Sequence, residues 1–386
     1  MQLSSENIGE YLVKRKLLNR EDVAQITIQL ILAKNFNLLV TLPDGQKLLV
    51  KQERHNQDGK TAGEFQQEWQ IQEFLQDFPE LDHLRPCLPH ILQFDREQSL
   101  IVFHYLDEYR DLMDYYMKEN HFPTAIASIL GKSVATIHRA TFNREDYQAF
   151  FLPQLDARQE QVSLFIRGLE RISPEIFSSV PMDGLKFFVL YQRYDSLGNA
   201  IASLGASVSP CCLTHNDLKL NNILLHTNWE HPNDSVVRLI DWERSSWGDP
   251  AFDVGTVIAS YLQLWLNSLV ISTTLSIEES LRLATTPLDQ LQPSIAAFTS
   301  AYLETFPEIL EQRPHYLQQV VQFAGLVLIQ QIQAMIQYQK AFGNTGIAML
   351  QVAKSLLCRP EQSIPTVFGT TASELIPTPS FSVKSI

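Results

Sequence analysis

Between Leu213 and Asp253 the chain runs LTHNDLKLNNILL, then a polar interruption, then VVRLIDWERSSWGDPAFD. His215, Asp217 and Asn222 stand in the order H-x-D-x-x-x-x-N, and Asp241 closes the apolar run that follows. Each of these types suits one task in moving a phosphoryl group to a hydroxyl. An attacking hydroxyl needs a carboxylate to orient it and accept its proton, and Asp217 offers one from a loop. Mg²⁺ takes hard oxygen ligands and usually fills the rest of its octahedron with water and phosphate oxygens, so two protein oxygens, from Asn222 and Asp241, suffice. Taken singly, Asp and Asn are ordinary turn formers and helix caps. The ordered set favours the chemical reading.

These residues need elements to hold them. Ile223–Leu225 and Val236–Ile240 have the character of two short strands joined by the turn-rich segment Thr227–Ser235. Pairing them brings Asn222, just before the first, beside Asp241, just after the second. Upstream, ITIQLIL, FNLLVTL and KLLVK predict three further strands, the last two joined by the turn Pro43-Asp44-Gly45. Lys51 ends the third strand. GEFQQEWQIQEFL predicts an amphipathic helix with Ile71, Phe74, Leu75 and Phe78 on one stripe and Glu68 one turn before Ile71. Ser4 or Ser5 is a candidate N-cap for a first helix within residues 3–18. SLIVFHYLDE predicts a buried strand leading into a linker. In TAIASILGKSVATIHRAT, Gly131-Lys132-Ser133 imitates a Walker loop, but no glycine stands five residues earlier and the apolar spacing is that of a helix interior, so the segment is assigned as a helix.

The segments HNDLKLNN, IDWE and DPAFD together resemble the aminoglycoside phosphotransferase and choline kinase family, whose members carry sequences such as HGDLHPGN followed by IDW. Lys219 stands where many members have His, and is in this respect nearer the HRDLKxxN of protein Ser/Thr kinases. The resemblance implies an α+β, two-lobed protein-kinase-like fold, with a small antiparallel-sheet N-terminal lobe (residues 1–106), a mainly helical C-terminal lobe (107–360) and a flexible tail (361–386). It implies ATP as co-substrate and Mg²⁺ on Asn222 and Asp241. By the same resemblance Asp217 is the base or orienter, Lys219 neutralises developing charge, and His215 and Asp253 brace the catalytic loop. Lys51 holds phosphates and is positioned by Glu68. A hinge over Phe103–Leu106, including His104 and Leu106, hydrogen-bonds the adenine edge. One departure is the turn Ala33-Lys34-Asn35, which has no glycine where glycines normally let backbone N–H groups approach phosphates. An ordinary hairpin with Asn35 left-handed and a phosphate-gripping loop both remain open. The short stretch from Asp241 to Asp253, with no A-P-E after it, does not fit the regulation of a signalling kinase.

Composition narrows the partners. A net charge of −13 and a pI near 5.2 over 386 residues exclude a phosphate-backbone partner, so no nucleic acid is expected. Cys87, Cys211, Cys212 and Cys358 have no C-x-x-C spacing and fit reduced thiols. The polar start MQLSSENIGEYLVKRK is not a secretory signal, and the apolar segments near 254–271 and 316–337 are interrupted by polar residues as buried helices are. A cytoplasmic enzyme without a membrane partner is the expectation; its oligomeric state is not readable. The acceptor hydroxyl is assigned to a small molecule; alternatives are Ser or Thr in a peptide of a modification pathway of the lanthipeptide type, or no acceptor at all in a nucleotide-binding pseudokinase.

Overall fold

The computed structural model describes residues 2–32, 34–56, 59–152, 182–270, 275 and 277–376. The chain forms two compact units: Met1–Leu112 with Asn222–Ser245, and Met113–Asn221 with Ser246–Ile386. This differs from a cut at residue 106, because the strands around Asn222 and Asp241 pack with the N-terminal part of the chain.

In the first unit, strands β1 (Thr27–Leu32), β2 (Phe36–Thr41), β3 (Lys47–Gln52), β4 (Ile91–Asp95) and β5 (Leu100–His104) form an antiparallel sheet in the order β1-β2-β3-β5-β4. The β2–β3 turn closes as its residues dictate: Leu42 N–H donates to Gln46 O at 2.8 Å, Gln46 N–H to Asp44 Oδ1 at 2.9 Å, and Gly45 takes φ +87°. Alternation divides the sheet. Leu38, Val40, Leu48, Val50, Leu100 and Val102 pack on one face against helix α1 (Ile8–Lys14), through Ile8, Tyr11 and Leu12. Helix α1 begins later than Ser4 or Ser5: Asn7 is its N-cap, and Asn7 Oδ1 instead accepts from Ser4 N–H. The opposite face carries Leu49, Ile101 and Phe103, which pack with Phe65 and Trp69 of helix α2 (Glu64–Asp77). Strand β6 (Tyr109–Asp111) joins β8 (Ile223–His226) and β9 (Val237–Leu239) in a second antiparallel sheet.

The second unit is mainly helical. Helix α4 (Thr124–Thr141), which follows α3 (Leu112–Glu119), packs along the helix Leu288–Thr305. Gly131 permits this crossing, since a Cβ there would lie 2.2 Å from Phe298 O; the glycine serves packing, in keeping with the rejected Walker reading. The helices Pro250–Asn267, Tyr316–Ala334 and Asn344–Cys358 supply most of the remaining core. By length and composition Tyr316–Gln339 would suffice to cross a membrane, but 61% of its most apolar window is buried in the protein. A two-stranded ladder, β7 (Cys212–Thr214) with β10 (Ser246–Gly248), precedes the helix Pro250–Asn267.

The expected tail is helical for much of its length. Pro360–Phe368 and Ala372–Leu375 are helices, with Ile364, Val367, Phe368 and Leu375 buried. Pro360 occupies the first turn of one helix and Thr371 with Glu374 forms a capping box at the other, while Ser363, Pro365 and Thr366 lie within Pro360–Phe368. The end of that tail, 377–386, lies outside the described residues, as do residues 153–181. Cys211 and Cys212 are buried, Cys87 and Cys358 half-buried, and all four are free thiols.

Candidate functional site

The first unit brings Lys51, Glu68, Asn222 and Asp241 together. Strands β8 and β9 pair with Ile223 opposite Leu239, and Ile240 N–H donates to Asn222 O at 2.9 Å, so Asn222 and Asp241 lie at the same end of one ladder. Asp241 is left-handed, at φ 61° and ψ 58°, where the chain turns from β9 into the turn Trp242–Arg244 packed on α2. Its Oδ1 accepts from Lys51 Nζ at 3.1 Å, and the ammonium also lies 5.0 Å from the Phe103 ring centre. Burial opposes the charge on Lys51, but Asp241 and Glu68 outweigh it and hold the ammonium above its ordinary value.

The ion pair of Lys51 is thus with Asp241 and not with Glu68, the partner expected from the sequence. Burial supplies the reason. Glu68 is 2% exposed, and desolvation, helped by the neighbouring Asp241, pushes its carboxyl up to about 8 despite Lys51. A carboxyl protonated at neutral pH is a weaker partner for an ammonium than an ionised one. Burial and the carboxylates of Glu64 and Asp241 likewise raise Glu243.

The second unit holds His215, Asp217, Lys219 and Asp253. Asp253, 1% exposed, accepts from the backbone N–H of His215 (2.7 Å, Oδ2) and of Asn216 (2.8 Å, Oδ1), and its Oδ2 lies 3.2 Å from His138 Nε2. One carboxylate therefore fixes the backbone immediately before Asp217. His215 is 1% exposed, and its Nδ1 accepts from Asp217 N–H at 3.3 Å, a contact that orients the loop. Asn216 is left-handed at φ 61°. Lys219 Nζ is 3.0 Å from Asp217 Oδ1.

Residues 27–272, more than half of the chain, match the family model described as the phosphotransferase enzyme family, APH. The chain belongs to that family. It is accordingly a phosphotransferase. Similar solved structures include choline kinase LicA from Streptococcus pneumoniae, at 16% identity over 91% of this chain and 98% of that one with a TM-score of 0.43. Another is the aminoglycoside phosphotransferase APH(2'')-Ib in its ADP-bound form, at 14% identity over 92% and 99% with a TM-score of 0.48. A glucosamine kinase is 14% identical over 92% and 84%, with a TM-score of 0.47. No curated protein matches the sequence at a significant level.

In this phosphotransferase the segment Phe103–Leu106, expected as a hinge, is tied down by its backbone. His104 N–H donates to His90 O at 2.9 Å, Tyr105 N–H to Lys47 O at 2.8 Å, and Leu106 O accepts from Tyr109 N–H at 3.1 Å. Lys47 pairs with Asp107 at 2.5 Å. At the glycine-poor turn Lys34 pairs with Glu64, and Asn35 is absent from the left-handed residues among those described; Ala33 lies outside them. Sequence reasoning missed the support around the loop. Thr214 Oγ1 donates to Ser246 O at 3.0 Å and sits where a Cβ on Gly248 would fall, 2.2 Å away. Asp249 caps the helix Pro250–Asn267 and receives both Nη atoms of Arg313, at 2.7 and 2.8 Å. The Asp-Pro pair signals that cap; the arginine, 64 residues on, leaves no local signal.

Proposed function

We propose that this phosphotransferase moves the γ-phosphate of ATP to a hydroxyl of a small molecule, with Asp217 as the residue that orients the hydroxyl and takes its proton. The observation that carries this is the bracing of the loop before Asp217 by Asp253, which fixes the backbone through two N–H donors at 2.7 and 2.8 Å. Such rigid placement is what positioning catalysis needs. Lys219, on the Asp217 carboxylate, is placed to offset charge as the proton moves. Lys51 is the phosphate-holding cation. His104 has its N–H engaged and offers its carbonyl to an adenine edge; Leu106 has its carbonyl engaged and offers its N–H.

Asn222 and Asp241 fit Mg²⁺ by the chemistry of the donor set. Both offer hard oxygens from the same end of one ladder, and among the described residues no group of three or more His, Cys, Asp and Glu forms a metal centre of another kind. Two protein oxygens suit an ion that completes its shell with water and phosphate. When bound, Mg²⁺ would offset the charge of the nucleotide phosphates. Calorimetric titration with ATP tests the assignment. Affinity is expected to fall when Mg²⁺ is chelated and to fall similarly in Asp241→Ala; equal wild-type binding with and without the metal would contradict it.

A further inference from the structure

Asn37 occupies a position in β2 that strand packing does not explain. The β2–β3 register sets it directly opposite Lys51, and β3–β5 sets Ile101 on the other side, so Asn37 is the polar cross-strand neighbour of Lys51. Directly opposed residues share a face, with Cβ atoms about 4.5–5.5 Å apart. Asn37 is 7% exposed, and among the described residues its Oδ1 has no hydrogen-bond partner. Asparagine is depleted from strands, and a buried carboxamide oxygen left unmatched is costly. Its neighbours on this face, Leu49, Ile101 and Phe103, are apolar, and an apolar residue would pack there without that cost.

We propose that Asn37 is a positioning residue for Lys51: its Oδ1 accepts a hydrogen bond from the ammonium when Asp241 turns to its metal-binding role. This rests on the nucleotide-binding reading given above. In the present structure Lys51 spends a hydrogen bond on Asp241, at 3.1 Å. An ammonium has three donors, so a neutral carboxamide can anchor it while the others remain for phosphate oxygens. Being uncharged, Asn37 orients the cation without cancelling its charge. Lys51 thereby exchanges an acidic partner for a neutral one on the adjacent strand, and its charge becomes available to the nucleotide.

A double-mutant cycle on the full chain tests this, comparing wild type, Asn37→Leu, Lys51→Met and the double variant. Mg²⁺·ATP affinity is read by calorimetry and stability by the urea midpoint. Asn37→Leu is expected to weaken Mg²⁺·ATP binding about tenfold, the scale of one hydrogen bond to a charged group. Its urea midpoint should equal or exceed that of wild type, because an unmatched polar atom has been removed. In the Lys51→Met background the same substitution should have no further effect on binding. Unchanged affinity in Asn37→Leu, an equal loss in the Lys51→Met background, or a lowered midpoint accompanying the loss would each overturn the inference. A wild-type chain that binds no Mg²⁺·ATP overturns the functional reading and this inference with it, whereas wild-type binding matched by Asn37→Leu overturns the inference alone.

Discussion

Glu68 and Lys51 are oppositely charged groups in model compounds, yet in the protein Asp241 makes the ion pair and Glu68 is pushed up to about 8. The consequence for stability has a definite sign. Below the ordinary carboxyl value of 4.5, Glu68 is neutral whether the chain is folded or unfolded. Between there and about 8 the folded chain keeps a proton that the unfolded chain has released, so this group lowers stability progressively as pH rises, and adds nothing further above that range. Glu68→Gln is neutral throughout. Its urea midpoint should exceed that of wild type by a margin that grows between about pH 5 and about pH 8; parallel profiles would contradict this. The H-x-D-x-x-x-x-N order was legible because those residues are close in sequence and their roles need only that order. The partner of Lys51 was not, because it depends on which carboxyl folding desolvates more. Asp249 was hidden for another reason: its partner Arg313 is remote in sequence and comes near only through packing.

At the level of elements, alternation and turn chemistry made β1, β2, β3, β8 and β9 readable, and the structure pairs β8 with β9 as the positions of Asn222 and Asp241 required. Composition misled at the C-terminal end. Ser, Thr and Pro suggest an open chain when counted, but Pro360 and Thr371 stand at helix starts, and the apolar Ile364, Val367 and Phe368 between them are buried. Gly131 gives the converse case: the sequence showed that it was not in a phosphate loop, but only the crossing of α4 with Leu288–Thr305 shows what requires it. Gly131→Val should cost about 1–3 kcal/mol or more through overpacking against the Phe298 carbonyl. The check is a lowered urea midpoint with an unchanged dependence on denaturant; an unchanged midpoint would show that the helices separate without cost.

For the molecule as a whole, the family match over residues 27–272 makes it a phosphotransferase. Lys51, Asn222 and Asp241 are proposed to hold the nucleotide and Asp217 to accept the hydroxyl proton, so the two functions should separate in one variant. Asp217→Asn keeps the size of the side chain and removes its charge. The decisive measurement compares this variant with wild type in Mg²⁺·ATP affinity and in phosphate transfer to a panel of amino sugars, choline and aminoglycosides, with slow transfer to water as the substitute acceptor. Unchanged affinity and a fall in turnover of about 10²–10⁴ are expected. Near-normal turnover in Asp217→Asn would contradict the role proposed for Asp217.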